Sequence, residues 1–166
     1  LKKIFSFIKK KNINFIDTSI AYRNSEVKIG KLKKNNLKII SKISNFPNSP
    51  KNIEKWIINK VYLSCKKLKV KNLYGLLIHH TRDLKDKKRS QIIYKTFDYL
   101  IKKKIVKKIG LSIYDPECLN HLVSKYNFDV IQCPYNILDR RIISSGWFDK
   151  LKDKGIEIHI RSIFLQ

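Results

Sequence analysis

Residues 14–30 read NFIDTSIAYRNSEVKIG, and the fold reading turns on how this stretch begins and stops. Ile13, Phe15 and Ile16 make a short apolar, β-prone run that ends abruptly on Asp17-Thr18-Ser19. A buried strand delivers a carboxylate to the rim of a sheet in this way. Tyr22 follows on the loop. Ser25 then opens an amphipathic run with Glu26, Val27, Ile29 and Leu32, expected as N-cap and helix, with the helix ending near Asn35 and Asn36. An acid at a strand end with a phenol just beyond it is a pair suited to proton chemistry. The same residues also fit ordinary turn and capping chemistry. Asp17 and Tyr22 therefore gain meaning only if other strand ends supply partners.

Working outward, those partners appear. Residues 1–11 read as an amphipathic helix with Ile4, Phe5 and Ile8 on one face. Strands are expected at 13–17, 37–43, 73–78, 107–112, 129–133 and 156–162. Helices are expected between them: from Ser49-Pro50 to about Lys69, around Ile92–Ile101, from Asp115-Pro116 through Val123, and around Trp147, Phe148 and Leu151. Residues 81–89 and 136–141 read as polar loops. Short strands joined by helices predict a parallel sheet. In such folds function gathers at the carboxyl ends of strands. Those ends carry Asp17, Lys42, His79, Ser112, Gln132 and Arg161.

The last strand separates a closed barrel from a flat sheet. Ile156, Ile158 and Ile160 share one face, and Glu157, His159 and Arg161 share the other. An apolar outside under helices with a polar inside is barrel-like; a flat doubly wound sheet would be apolar on both faces. No Gly-rich phosphate loop follows any strand.

Composition bounds the rest. The chain has 166 residues, enough for one domain with a real core, and 37 Lys and Arg against 13 Asp and Glu give a net charge of +24. The Lys is spread along every helix among abundant Ile and Asn, and no basic run is interleaved with aromatics. Weak, salt-sensitive adhesion to polyanions is expected, and no specific nucleic-acid partner. No apolar run spans a membrane, and the basic N-terminus lacks a cleavage site. Cys65, Cys118 and Cys133 are scattered without metal-ligand spacing, which suits reduced thiols in a cytoplasm. No required protein partner is evident.

Converging, Asp17, Tyr22, Lys42 and His79 would make a proton-donor site. A phenol's reference pKa is about 10, and a nearby ammonium lowers it. Lys42 is expected to do this, with Asp17 holding it charged. His79, or equally His80, would orient a carbonyl oxygen. The matching reaction is hydride addition to an aldehyde or ketone, with Tyr22 protonating the developing alkoxide. No side chain supplies hydride, so a cofactor must. Each residue alone is ordinarily structural: Asp17 and Lys42 as an ion pair, His79 as a rim histidine.

These residues resemble the aldo-keto reductases. The opening motif of that family, Asp-Thr-Ala, then Tyr-Gly, then Ser-Glu and a later Gly, is similar to 17–30 here. Residues 40–42 and 73–79 resemble its strands ending on Lys and His. IGLS at 109–112 resembles Ile-Gly-Val-Ser, VIQCPYN at 130–136 resembles its Gln-bearing strand, and RSIFLQ at 161–166 resembles a bacterial strand-seven motif. The resemblance implies a (β/α)8 TIM barrel, incomplete here, with about strands 2–7 and without strands 1 and 8. It implies NADPH or NADH as cofactor and a small carbonyl substrate. Tyr22 becomes the proton donor, tuned by Lys42 and Asp17, and His79 orients the substrate. Ser112, Gln132, Arg161 and Asp17 fall at cofactor-binding positions. Three positions depart: Arg23 replaces the Gly after Tyr, Ile113 replaces a polar residue, and Arg161 falls near the aromatic that stacks on nicotinamide. The resemblance also leaves open a non-catalytic binding or regulatory protein, or an inactive truncated fragment. The expectation is that a full-length parent is a reductase and this piece alone binds cofactor poorly.

Overall fold

A computed structural model describes residues 2–32 and 37–165. The Phe5 side chain, Asn35, Asn36 and Gln166 lie outside the described residues, and the helix from Ser25 ends at Gly30 with Lys31 as C-cap, so Leu32 falls outside the helix expected to include it. Helix α1 (Lys2–Lys10) precedes strand β1 (Phe15–Asp17). Then come α2 (Ser25–Gly30), β2 (Lys38–Ile43), α3 (Ile53–Leu68), β3 (Leu73–Ile78), α4 (Lys87–Lys102) and β4 (Val106–Ser112). The chain continues through α5 (Leu119–Lys125), β5 (Val130–Pro134), α6 (Arg141–Ser144), α7 (Trp147–Asp153) and β6 (Glu157–Arg161). The six strands are all parallel and lie in sequence order.

The sheet is curled. In a flat sheet β1 and β6 would stand roughly 24 Å apart, at about 4.8 Å per strand. Instead the rings of Phe15 on β1 and His159 on β6 meet edge-on at 5.2 Å. The Tyr74 hydroxyl on β3 donates to Glu157 Oε1 on β6 at 2.6 Å, and Lys108 Nζ reaches the same oxygen at 2.6 Å. Such contacts across the concave face require barrel-like closure. The architecture is part of a (β/α)8 barrel. Ile156, Ile158 and Ile160 pack on the outer core with the helices, as the parity of the last strand predicts. That core holds Ile57, Val61 and Leu68 of α3 with Ile93, Phe97 and Leu100 of α4 against the sheet, all fully buried.

Local boundaries differ where side chains chose other partners. Ser25 is not the N-cap of α2: Asn24 is, and the Ser25 hydroxyl instead pairs with Thr18 Oγ1 at 2.6 Å. Ser49-Pro50 opens a 3-10 turn, and α3 starts at Ile53. The expected loop at 81–89 contains a 3-10 turn, and α4 begins at Lys87, capped by the Asp86 carboxylate accepting from Arg89 N–H at 2.7 Å. The short α6 starts at Arg141, the last residue expected to be loop.

Two residues of the opening motif are structural. Glu26 is 2% exposed and accepts from Ser41 Oγ at 2.9 Å and Ser64 Oγ at 2.6 Å, tying α2 to β2 and α3. Gly30 lies so close to α3 that a Cβ would sit 2.0 Å from the Lys67 carbonyl oxygen. Among the described residues, no helix is long and apolar enough to cross a membrane.

Candidate active site

The carboxyl ends of β1, β2 and β3 bring Asp17, Lys42 and His79 to one rim, as the sequence pattern predicts. Lys42 is 2% exposed, and its Nζ donates to Asp17 Oδ1 at 2.6 Å, to Oδ2 at 2.5 Å and to the Thr18 carbonyl at 3.0 Å. Tyr22 projects from the loop after β1. Its ring lies 5.6 Å from Lys42 Nζ and meets the His79 ring edge-on at 5.7 Å. These four side chains form one cluster.

The electrostatics depart from expectation at Tyr22. Burial, Asp17 and Tyr114 hold its phenol above the ordinary value, and the opposing pull comes from Arg161. Lys42 does not lower it, because its charge is matched by a carboxylate within hydrogen-bond distance. Burial outweighs Asp17 at Lys42 as well and lowers its pKa. Burial, His80 and Lys42 push His79 down to about 4, so its ring is neutral at pH 7.

His79 titration is directly testable. An unfolded histidine takes up its proton near pH 6.5, whereas this ring does so near 4. Between those values the unfolded chain binds more protons, so the site's contribution to stability is lost as pH falls through that window. The His79 ring signals should titrate with a midpoint near 4 by NMR. A midpoint at the ordinary value would place the ring in solvent, away from His80 and Lys42.

Sequence reasoning missed Ser19 at the site and left His80 as an alternative to His79. Ser19 is fully buried, and its Oγ lies 3.2 Å from the Lys42 carbonyl and 3.4 Å from His79 Nδ1. Its hydroxyl hydrogen can turn to either acceptor. His80 stacks flat on His79 at 4.6 Å, so it backs the ring rather than replacing it. Ser19 was visible as the third residue of the Asp-Thr-Ser ending, but its long-range contact leaves no local signal.

Across the rim, β4 and β5 present the expected Ser112 and Gln132. Both are buried, and Ser112 Oγ donates to Gln132 Oε1 at 3.2 Å. Arg161 ends β6 and reaches back to donate to the Ile113 carbonyl at 2.9 Å. The described thiols take no part: burial pushes Cys65, Cys118 and Cys133 each up to about 11.

Arg23 is a point of strain. It occupies the position after Tyr22 with φ of +34°, a region in which a side chain is disfavoured and glycine is not. Arg23→Gly should stabilise the protein by roughly 0.5–1 kcal/mol, read as a rise in Tm. A fall would mean that the Arg23 side chain contributes more than its backbone costs.

The sequence model of the aldo/keto reductase family matches residues 3–165. The chain belongs to the aldo/keto reductase family. Solved structures with the same fold include the holo form of aldo-keto reductase AKR11C1 from Bacillus halodurans, with a TM-score of 0.81 at 20% identity over 96% of this chain and 56% of that one. PA4992 from Pseudomonas aeruginosa, assigned to the aldo-keto reductases, gives a TM-score of 0.75 at 21% identity over 96% and 62%. AKR2E5 of the silkworm Bombyx mori, complexed with NADPH, gives 0.73 at 17% identity over 94% and 50%. This chain thus spans between half and two thirds of the length of these structures. No curated protein matches the sequence.

Proposed function

We propose that this chain is the catalytic part of an NAD(P)H-dependent reductase that converts an aldehyde or ketone to an alcohol. The observation that carries the reading is the single cluster of Asp17, Lys42, Tyr22 and His79 at three strand ends and one loop. Membership of the family and the NADPH bound by the silkworm relative support the cofactor class.

The residues present fit a nicotinamide. Ser112 and Gln132 offer a hydroxyl and an amide from adjoining strand ends, a donor and acceptor set that suits a carboxamide. When bound, the cofactor supplies the hydride. The chain does the rest. Tyr22 Oη gives its proton to the carbonyl oxygen. Lys42, fixed by Asp17 and the Thr18 carbonyl, holds its ammonium beside the phenol ring, and the field of Arg161 favours the phenolate left behind. Neutral His79 orients the carbonyl: if the Ser19 hydrogen turns to Nδ1, the ring proton sits on Nε2 and donates to that oxygen. Tyr22 is 45% exposed, so its proton is regained from solvent.

The test is oxidation of NADPH or NADH by the full-length protein carrying this sequence, over a panel of aldehydes and ketones. Carbonyl-dependent oxidation is expected. Tight cofactor binding without turnover of any carbonyl would favour a non-catalytic member of the family, as the departures at Ile113 and Arg161 would permit.

A further inference from the structure

Arg161 forms no ion pair among the described residues, although its charge acts on the Asp139 carboxylate in the same cleft. Its Nη2 donates to the Ile113 carbonyl at 2.9 Å, its Nη1 to Ser162 Oγ at 3.3 Å, and its guanidinium lies 4.2 Å from the centre of the Tyr114 ring. Nε is buried and has no acceptor among the described residues. A carbonyl, a hydroxyl and a ring thus fix the fork, and none of these direct contacts is a carboxylate. The cleft around it, of about 520 Å³, contains one other arginine, Arg141. That one is neutralised by Asp139 at 2.9 Å and Asp115 at 3.6 Å. Among the described residues no carboxylate forms an ion pair with Arg161.

The position matters as much as the charge. Arg161 ends the strand whose neighbour carries Gln132, and its field reaches Tyr22, Lys42 and His79. Arg161 is partly buried, and a guanidinium partly withdrawn from water without an ion-pair partner gains from an anionic ligand. A planar fork with a fixed orientation and unused N–H donors is the geometry that recognises carboxylate or phosphate.

We propose that Arg161 is a specificity-determining residue that selects carbonyl substrates bearing an anionic group, a carboxylate or a phosphate, close to the carbonyl. This rests on the reductase reading above. The cofactor's own phosphates are the competing source of an anion, and the test separates the two.

The full-length protein and its Arg161→Gln and Arg161→Lys variants are compared on 3-carboxybenzaldehyde against its neutral isostere 3-carbamoylbenzaldehyde, and on glyceraldehyde 3-phosphate against glyceraldehyde. KM for NADPH and NADH is measured alongside. The wild type should favour the anionic member of a pair by about tenfold or more in kcat/KM, through KM, as loss of a hydrogen bond to a charged group implies. Arg161→Gln should erase that preference, and Arg161→Lys should keep part of it. A wild type indifferent to the anionic group overturns the proposal, whatever the variants do. So does a variant whose only defect is a raised cofactor KM shared by all substrates. If the wild type turns over nothing, the reductase reading fails, and the anion site is judged separately by benzoate titration at constant ionic strength. A Tyr114 ring shift in the NMR spectrum that is lost in Arg161→Gln supports it; no such shift overturns it.

Discussion

Tyr22→Phe in the full-length protein lowers kcat/KM for carbonyl reduction by roughly 10²–10⁴-fold, the range a positioned general acid contributes. The substitution removes one oxygen from a half-exposed ring whose hydroxyl makes no hydrogen bond to another described residue. The fold and the cofactor affinity should therefore survive, and the loss should fall on kcat. The same phenol sets the alkaline limb of the pH profile. Burial and Asp17 raise its pKa above 10.0, so the neutral phenol keeps its proton through neutral pH and the limb appears only above that value. Steady-state kinetics of the two proteins check both points. A loss under tenfold would move the proton donor elsewhere, with His79 the next candidate.

Gly110→Ala should have the largest effect on the fold, costing on the order of 3 kcal/mol. A Cβ there would sit 1.9 Å from the Val130 carbonyl oxygen and 2.9 Å from Leu77 Cδ2. The oxygen belongs to backbone, which cannot swing aside as a flexible side chain would. Relief requires β5 to move away from β4, and those two strands hold Ser112 against Gln132. The variant should thus lose Tm and, in the fraction that folds, weaken cofactor binding more than it alters Tyr22. Chemical denaturation and cofactor titration measure the two effects. Unchanged stability would mean that β4 and β5 are not packed as closely as the structure has them.

The strands were legible because each ends where an apolar run meets a polar residue, a local signal. Asp17, Lys42, His79, Ser112 and Gln132 all came from that signal. The curl of the sheet was legible from β6 alone, since three isoleucines alternate with Glu157, His159 and Arg161. What was not legible depends on contacts made across the molecule. The buried carboxylate of Glu26 finds Ser41 and Ser64, 15 and 38 residues away. Glu157 gathers Tyr74 and Lys108 inside the barrel, 83 and 49 residues away. Ser25 looked like a cap but pairs with Thr18 instead, because the loop between them folds back on itself. The tuning of Tyr22 was misjudged for a related reason. The sequence placed an ammonium near the phenol but could not show how completely Asp17 would balance it.

Reduction of a carbonyl with cofactor deuterated at C4 of the nicotinamide tests the central claim most directly. The full-length protein is incubated with deuterated NADPH or NADH and an aldehyde or ketone, and the product is analysed by mass spectrometry. One deuterium on the carbinol carbon, absent when Tyr22 is replaced by Phe over the same interval, is the expected result. Cofactor that binds but transfers no deuterium to any carbonyl offered would contradict the reductase reading.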